Sequence, residues 1–295
     1  MYVITGANGH IGRKVAEILL SEGRKVRVVS RNTNRLRPLA EKGAEVCGES
    51  LQDEAFLVEA FHGATAVYVM IPPNHKPENL RAYQNRIGEA IFTALKSTTV
   101  KYVVNLTSLG AHRPDMTGPI LGLYDQEQRL NWLREANLVH LRPAFFMENF
   151  LDLIPLIKAE RIIRTPLKGD LAIPVIAAKD VAKVASQYLL KLDYSGILVR
   201  ELLGQRDISM HEMTRILAKA TGMDGLEYVR LSDEEAKSLM IEKGFSKDVS
   251  TAILELCESI NDGEVIVGTG RTDQNTTATP FEEFAEVFAA AYHNS

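Results

Sequence analysis

Short apolar runs alternate with amphipathic stretches throughout the first half of this chain. The runs that predict buried strands are residues 2–4, 25–30, 44–47, 66–71 and 100–106. The stretches that predict helices between them are residues 11–22, 35–42, 53–61 and 78–95. Strands that alternate with helices in this way are typical of βαβ units. We therefore expect a parallel sheet with helices on both faces.

The second half begins with the same pattern and then loses its regularity. A helix is predicted over residues 126–135 and a strand over 138–141. Beyond Arg142-Pro143, only a helix at 180–190 and a strand at 197–203 have the spacing of elements that return to the sheet. From Ser209 onward the chain is mainly helical, and Glu212, three residues later, predicts a capping box.

These patterns predict an α/β fold, a doubly wound Rossmann sheet with a smaller, mainly helical C-terminal lobe. We expect residues 1–150 to form a dinucleotide-binding domain, with about 174–204 returning to its sheet. Residues 151–173 and 205–295 would then form the smaller substrate-binding lobe.

Composition narrows the functional classes. The chain has 295 residues and a net charge of -4, which gives no reason to expect a nucleic-acid or anionic-membrane surface. No apolar run approaches the ~20 residues that cross a bilayer. Cys47 and Cys257 lie far apart without metal-ligand partners nearby, so we expect buried thiols in a reducing compartment, no metal site and a cytoplasmic protein.

The strongest motif is Thr5-Gly6-Ala7-Asn8-Gly9-His10-Ile11-Gly12, directly after the first strand and at the start of the first helix. Glycines at this spacing permit a tight turn, close approach of a pyrophosphate and close packing of helix on strand, while the helix N-terminus attracts the diphosphate. The sequence therefore predicts that residues 6–12 hold a dinucleotide. The alternative is a tight turn without a ligand.

The end of the second strand distinguishes the two nicotinamide cofactors. An enzyme that prefers NAD(H) places an acidic residue there to hold the ribose hydroxyls. This chain has Ser30-Arg31-Asn32, with Arg35 one turn later, and a guanidinium can bind a 2′-phosphate through two hydrogen bonds. We therefore expect NADP(H) to be preferred over NAD(H); the alternative is that both arginines are solvated surface charges.

Several motifs follow the glycine turn in a specific order. They are Val29-Ser30-Arg31-Asn32, Gly48-Glu49-Ser50-Leu51-Gln52-Asp53, Phe61-His62-Gly63-Ala64, Leu106-Thr107-Ser108, Leu141-Arg142-Pro143, Glu148-Asn149 and Lys179-Asp180-Val181-Ala182. Together with the N-terminal turn, they make the chain resemble the NmrA-like family of atypical short-chain dehydrogenases.

This resemblance implies a cleft between a Rossmann core and a small lobe, and it places Glu49 and Ser50 near the adenine. Glu49 departs from the shorter Asp that the family usually has there. Further candidate cofactor contacts stand at the carboxyl ends of strands, where ligands bind in open α/β sheets. They are Ile71, Pro72, Pro73, Thr107 and Ser108.

The catalytic chemistry is less clearly marked. Short-chain dehydrogenases generally use a Tyr-x-x-x-Lys pair near a Ser, in which the lysine lowers the pKa of the phenol. Ser108 and Tyr124 occupy two of these places, but the lysine position is Gln128. Tyr124 is therefore either the proton donor or a packing or substrate-contacting residue. His112 is a second candidate proton donor and His140 a third, although lone histidines are more often structural.

We interpret the sequence as an NADPH-dependent reductase of a small quinone-like or aromatic acceptor, with Phe145, Phe146 and Asn149 as substrate contacts. Family members also include non-catalytic regulators that sense NADP(H), and the missing lysine favours this alternative. A sugar-nucleotide epimerase or dehydratase is a second alternative. The expected partner is a small-molecule acceptor, with neither nucleic acid nor membrane. A regulatory function would add a protein partner, and the sequence leaves a homodimer open.

Overall fold

The computed structural model describes residues 1–265 and 270–295. The strands of this described part are β1 Tyr2–Thr5, β2 Val26–Val29, β3 Glu45–Cys47, β4 Ala66–Met70, β5 Tyr102–Leu106, β6 Asn137–Pro143, β7 Phe145–Phe146, β8 Ile162–Thr165, β9 Ile173–Ile176, β10 Ile197–Leu202, β11 Asp207–Ile208 and β12 Glu227–Arg230. The helices are α1 His10–Ser21, α2 Arg37–Glu41, α3 Glu54–Phe61, α4 Leu80–Lys96, α5 Leu121–Leu130, α6 Ile154–Glu160, α7 Ala178–Lys191, α8 Met210–Thr221, α9 Asp233–Glu242, α10 Lys247–Asn261 and α11 Phe281–Asn294.

Seven strands form one parallel sheet in the order β10-β6-β5-β4-β1-β2-β3. Ile4 of β1 lies between Val28 of β2 and Tyr68 of β4. The chain runs outward from β1 in one direction to β3 and then resumes beside β1 with β4. A crevice therefore opens between the carboxyl ends of β1 and β4, and this switch point is where ligands bind in such sheets.

Helices cover both faces of this sheet. On one face, Val15 and Leu19 of α1 and Val181 of α7 belong to the same fully buried core. On the other face, α3, α4 and α5 supply a second core, which contains Phe61 and Ile91. Burial of each such side chain stabilises the fold by about 1.5–3 kcal/mol. The predicted Rossmann-type α/β fold is confirmed.

The C-terminal part has a third core of its own. Phe150, Met213, Leu217, Phe281 and Phe288 are almost completely buried in it. Two small sheets accompany its helices, one of β11, β9 and β7 and one of β12 and β8. None of the described helices is both long enough and apolar enough to cross a membrane. The domain boundaries proposed from the sequence stay a prediction.

The predicted helix at 126–135 is wrong in position, because α5 runs from Leu121 to Leu130. Its buried side contains Gly122, Gln126 and Leu130, at intervals of four residues. A Cβ on Gly122 would lie 2.2 Å from the side-chain oxygen of Gln84 on α4, so a glycine is needed for these helices to approach. A buried face that includes a glycine and a glutamine is not visible as an apolar stripe.

Two smaller expectations are corrected. The Ser209 hydroxyl accepts a hydrogen bond from the Glu212 N–H at 3.3 Å, but the Glu212 carboxylate pairs with Arg206 at 2.9 Å instead of completing a capping box. The complete box is found at Ser232 and Glu235. Cys47 and Cys257 are both free and only partly buried, whereas full burial was expected.

Candidate functional site

The turn between β1 and α1 requires its glycines. Gly6 has a φ of +64°, and a Cβ there would also lie 2.8 Å from the sulfur of Met70. A Cβ on Gly12 would lie 2.6 Å from the carbonyl oxygen of Gly6, so only glycine lets the helix approach the turn this closely. The turn is therefore shaped by close backbone packing, as expected of a phosphate-binding loop.

The N-terminus of α1 is free to receive an anion. Gly9 is its N-cap residue, no side chain caps the first turn, and no acidic residue lies in that turn. The first N–H groups of a helix have no partner within the helix and carry partial positive charge. Residues 10–12 line a cleft together with Tyr68 and Met70 of β4, so their N–H groups are candidates for binding the diphosphate of a dinucleotide.

A cleft of about 300 Å³ extends from this turn to the end of β2; we call it the arginine cleft. The sequence-predicted cofactor residues that line it are Gly6, Asn8, Gly9, Arg31, Arg35, Glu49, Ser50, Pro72 and Pro73. Both arginines are exposed on its wall. The Asn8 side chain donates to the Asn32 carbonyl at 3.0 Å and to the Ser30 hydroxyl, which fixes the loop after β2 against the glycine turn.

Arg13 adds a third cation to this region. It stands one turn into α1, and its guanidinium donates to the carbonyl oxygen of Arg35 at 2.9 Å. On the opposite side of the cleft, the Glu49 carboxylate accepts the Ser50 N–H at 2.8 Å. The Glu49 carboxylate thus folds back on its own loop, although Glu49 lines the same cleft as the two arginines.

A second cleft of about 240 Å³, the glycine cleft, lies on the other side of the turn. Gly6, Gly9 and Met70 line both clefts, and His10, Ile11 and Gly12 line only this one. Its far wall includes Glu148, whose two carboxylate oxygens accept the Ala178 N–H at 2.9 and 3.0 Å. Burial raises the pKa of Glu148 above its ordinary value.

A third space of about 250 Å³, the apolar cavity, follows the ends of β5 and β6. The predicted contacts Ser108, Phe145, Phe146 and Asn149 line it. Its other described lining residues are Leu109, Ile120, Pro143, Ala144, Leu167, Ile173, Pro174, Ile253, Leu256, Cys257, Ile260 and Val265. Burial raises the pKa of Cys257 to about 12, so this thiol stays protonated and acts as an apolar wall.

The three spaces adjoin one another. Phe146 and Asn149 line both the glycine cleft and the apolar cavity, while Gly6, Gly9 and Met70 line both the glycine cleft and the arginine cleft. The glycine turn therefore stands between the cleft that holds the arginines and the cleft that borders the apolar cavity.

Three predicted cofactor residues lie beneath these spaces and not on their walls. Ala7 is completely buried and Ile71 nearly so, each within the core. Thr107 is also buried, and its hydroxyl donates to the Glu127 carboxylate at 2.7 Å. Glu127 forms an ion pair with Arg142, which fixes α5 to the end of β6.

The candidate proton donors are not brought together. Tyr124 lies on α5 and is not among the residues that line either the glycine cleft or the apolar cavity, and Gln128 of the same helix is exposed. His112 is largely exposed. Partial burial of its ring and the nearby positive charge of Arg142 both lower the pKa of this histidine. Of Ser108, Tyr124 and His112, Ser108 alone lines the apolar cavity.

His140 has a structural environment. Its ring is 1% exposed, with Nδ1 at 2.9 Å from the Asn105 amide nitrogen and Nε2 at 3.0 Å from the Asn131 amide oxygen. The ring therefore accepts at Nδ1 and donates at Nε2. Burial lowers its pKa to about 4, so the ring stays neutral.

Sequence reasoning missed the residues that later parts of the chain contribute. Met70 ends β4 and lies beneath the glycine turn, between the two clefts. Ile253, Leu256, Cys257 and Ile260 of α10 form one wall of the apolar cavity. Their spacing of three and four residues was a readable sign of an apolar helix face. What that face covers is decided by the tertiary fold.

The sheet order, the glycine turn and the uncapped helix N-terminus define a Rossmann-type nucleotide-binding protein. The sequence profile of the NmrA-like family matches residues 2–285. This chain belongs to the NmrA-like family.

Named relatives give a context for this membership. The chain is 26% identical over 296 residues to a (4-alkanoyl-5-oxo-2,5-dihydrofuran-3-yl)methyl phosphate reductase of Streptomyces griseus, with 99% of each chain covered. Among solved structures, the triphenylmethane reductase of Citrobacter sp. in complex with NADP(H) has a TM-score of 0.79 at 18% identity, covering 98% of this chain and 99% of that one. The NADPH-dependent quinone oxidoreductase QOR2 of Escherichia coli, complexed with NADPH, has a TM-score of 0.75 at 20% identity, covering 97% and 99%.

Proposed function

We propose that this protein is an NADPH-dependent reductase that transfers hydride to a small, uncharged quinone-like or aromatic acceptor. The observation that carries the proposal is the wall that the glycine cleft and the apolar cavity share. Phe146 and Asn149 lie at the junction of the glycine cleft and the apolar cavity, where the nicotinamide end of a bound dinucleotide would meet the acceptor. The oxidoreductase names of the relatives in this family support the same class of reaction.

The arginine cleft supports NADP(H) over NAD(H). Arg31 and Arg35 line the cleft beside the end of β2, and Arg13 stands next to Arg35. The two guanidinium groups on this wall favour a 2′-phosphate over an unmodified ribose. The described lining of this cleft contains a single acidic residue, Glu49, which is already bonded to its own backbone.

The apolar cavity supports an uncharged acceptor. Its described lining contains no Lys, Arg, His, Asp or Glu. Lys168 follows the lining residue Leu167, but its ammonium lies 3.6 Å from the Asp262 carboxylate and donates to the Asn261 carbonyl. A phosphate dianion against such a wall would find no cationic partner among the described lining residues, so the wall favours an uncharged group over a phosphate. We therefore propose a different acceptor class from the phosphate ester in the name of the Streptomyces relative.

Hydride transfer to a quinone-like acceptor requires the protein mainly to position the two reactants. A bound reduced nicotinamide supplies the hydride, and quinone, NADPH and one proton give quinol and NADP⁺. The Asn149 amide on the cavity wall can donate a hydrogen bond to an oxygen of the acceptor, whereas the Ser108 hydroxyl already donates to the Leu109 carbonyl at 3.0 Å. Water that enters through the open mouth supplies the proton. Orientation of the two reactants in the adjoining glycine cleft and apolar cavity supplies most of the rate enhancement.

A second candidate function is a non-catalytic sensor of NADP(H). Gln128 in the lysine position and the location of Tyr124 away from both spaces favour it. The apolar cavity beside the glycine cleft favours the reductase, since a sensor needs no second pocket there. An epimerase or dehydratase would need the complete Tyr and Lys pair, which this chain lacks.

A pair of acceptors that differ only in one phosphate group tests the proposed acceptor class. We expect NADPH oxidation with a hydroxymethyl butenolide to have a kcat/KM at least about tenfold higher than with its phosphate monoester, because the wall offers no counter-charge. Leu256→Arg adds a cation to the wall and should reverse the preference. Leu198→Arg on the exposed edge strand β10 is the matched control.

The alternatives give distinct results in the same assay. A wild-type preference for the phosphate monoester would overturn the uncharged acceptor. Tight NADPH binding without oxidation by any acceptor of a quinone and butenolide panel would overturn the reductase and support the sensor.

A further inference from the structure

The segment between β4 and α4 is a stiff wall of the arginine cleft. Pro72 and Pro73 line that cleft directly, and a third proline follows at Pro77. Each proline fixes its own φ and restricts the residue before it. A ligand that presses on Pro72 and Pro73 is therefore expected to move the rest of this segment with them.

The same segment is attached to the turn between α9 and α10. The His75 ring stacks on the Phe245 ring, with centroids 4.2 Å apart and planes inclined by 24°. The His75 carbonyl accepts the Ser246 N–H at 2.8 Å, and the Pro77 carbonyl accepts the Ser246 hydroxyl at 2.7 Å. The Asp248 carboxylate accepts the Leu80 N–H at 2.7 Å, which ties the first turn of α10 to the start of α4.

The other side of α10 borders the apolar cavity. Ile253, Leu256, Cys257 and Ile260 line the apolar cavity, beginning eight residues after Phe245. Beyond them, the Ser259 hydroxyl donates to the Met116 carbonyl in the loop after β5. One helix thus joins a wall of the dinucleotide cleft to a wall of the acceptor cavity.

We propose that the His75–Phe245 stack is a positioning contact that couples the two sites, so that a dinucleotide seated against Pro72 and Pro73 fixes α10 and completes the acceptor cavity. The inference rests on the proposed function in that α10 borders the acceptor. A bound cofactor then tightens the binding of the acceptor. By thermodynamic linkage the acceptor tightens the cofactor by the same factor.

Hydrogen exchange of the α10 backbone amides tests this coupling without any acceptor. Saturating NADP⁺ should slow exchange over residues 247–261 of the wild-type protein by about fivefold, which corresponds to about 1 kcal/mol and lies within the range of one aromatic pair. His75→Ala removes the ring but keeps the backbone bond to Ser246, and it should abolish this slowing. His75→Phe restores a ring for Phe245 and should restore the slowing.

His293→Ala is the matched control, because His293 is also an exposed histidine that contacts an aromatic ring, that of Tyr292 at a centroid distance of 5.3 Å. It should leave the NADP⁺ effect on α10 unchanged.

The affinity of menadione, measured by calorimetry with and without NADP⁺, is the second readout. We expect the ratio of the two affinities to fall from about fivefold to one in His75→Ala, with less than a twofold change in the affinity for NADP⁺ itself.

The outcomes separate this inference from the proposed function. NADP⁺ binding that leaves α10 exchange unchanged in the wild type overturns the coupling but leaves the reductase intact. Equal slowing in wild type and His75→Ala also overturns it. Absence of NADP⁺ binding overturns both. A merely structural contact would lower the melting temperature of His75→Ala and leave the slowing by NADP⁺ in place.

Discussion

Arg31 is the residue on which the cofactor preference depends most directly. Its side chain is exposed on the wall of the arginine cleft. A charge-assisted hydrogen bond to a phosphate is worth about 1.5–3 kcal/mol, and solvent at this position favours the lower figure. Arg31→Ala should therefore weaken NADPH binding by about tenfold and leave NADH binding within about twofold. A fluorescence titration of both cofactors measures this.

Arg37→Ala is the control for this titration. Arg37 is an exposed arginine at the start of α2, but it pairs with Glu41 at 2.9 Å and does not line the cleft. It should leave both affinities unchanged. If Arg31→Ala weakens NADPH and NADH equally, the cleft recognises the dinucleotide without reading its 2′-phosphate.

At the scale of a single residue, His140 should make the free energy of unfolding depend on pH. Its pKa is about 4 in the folded protein against an ordinary 6.5, so the unfolded chain binds the extra proton in that interval. The free energy of unfolding should therefore fall as the pH decreases from 6.5 to about 4, by up to about 3 kcal/mol from this residue, and this loss should end below pH 4.

Urea unfolding at a series of pH values compares wild type with His140→Gln. The glutamine does not titrate, so the difference in unfolding free energy between the two proteins should shrink as the medium becomes acidic. Parallel pH profiles for the two proteins would show that His140 does not titrate in this interval.

At the scale of elements, the position of α5 determines whether Tyr124 can act as the proton donor of a dehydrogenase. The helix carries Tyr124 outside the lining of both the glycine cleft and the apolar cavity, and no lysine stands at position 128. Tyr124→Phe should therefore leave kcat for menadione reduction within about threefold of wild type. General acid catalysis contributes about a hundredfold or more, so a loss of that size in steady-state turnover would restore Tyr124 to a catalytic role.

Elements with local signals were predicted well from the sequence. The strands and helices around the glycine turn depend on apolar runs and on glycine spacing, both of which are readable within a few residues. α5 was misplaced because its buried side includes Gly122 and Gln126, whose environment is supplied by α4. The place of α10 at the acceptor cavity was not predicted, since an apolar stripe does not say what it packs against.

The candidate site was likewise predicted only in part from the sequence. Most of the predicted cofactor residues line one cleft or the next, because the carboxyl ends of parallel strands meet at one edge of the sheet. Ala7, Ile71 and Thr107 are neighbours of these residues in sequence, but they are buried beneath the walls. Side-chain direction at a strand end depends on the local twist and packing, which the sequence pattern does not specify. The roles of all these residues stay predictions.

At the scale of the whole molecule, distant parts of the chain line the three adjoining spaces. The N-terminal half supplies the arginine cleft and one side of the glycine cleft, residues 143–152 stand between the glycine cleft and the apolar cavity, and residues 167–178 and α10 complete the walls. We propose that hydride passes from NADPH in the clefts to an uncharged acceptor in the apolar cavity.

A single-turnover experiment tests that claim most directly. NADPH-loaded protein is mixed with excess menadione without oxygen, and the absorbance of the reduced nicotinamide is followed. We expect an exponential loss of that absorbance that is slower when the transferred hydrogen of NADPH is deuterium, and slower again in Phe146→Ala. Bound NADPH whose absorbance does not change with menadione, or with any uncharged quinone, would contradict the claim and leave a protein that binds its cofactor without using it.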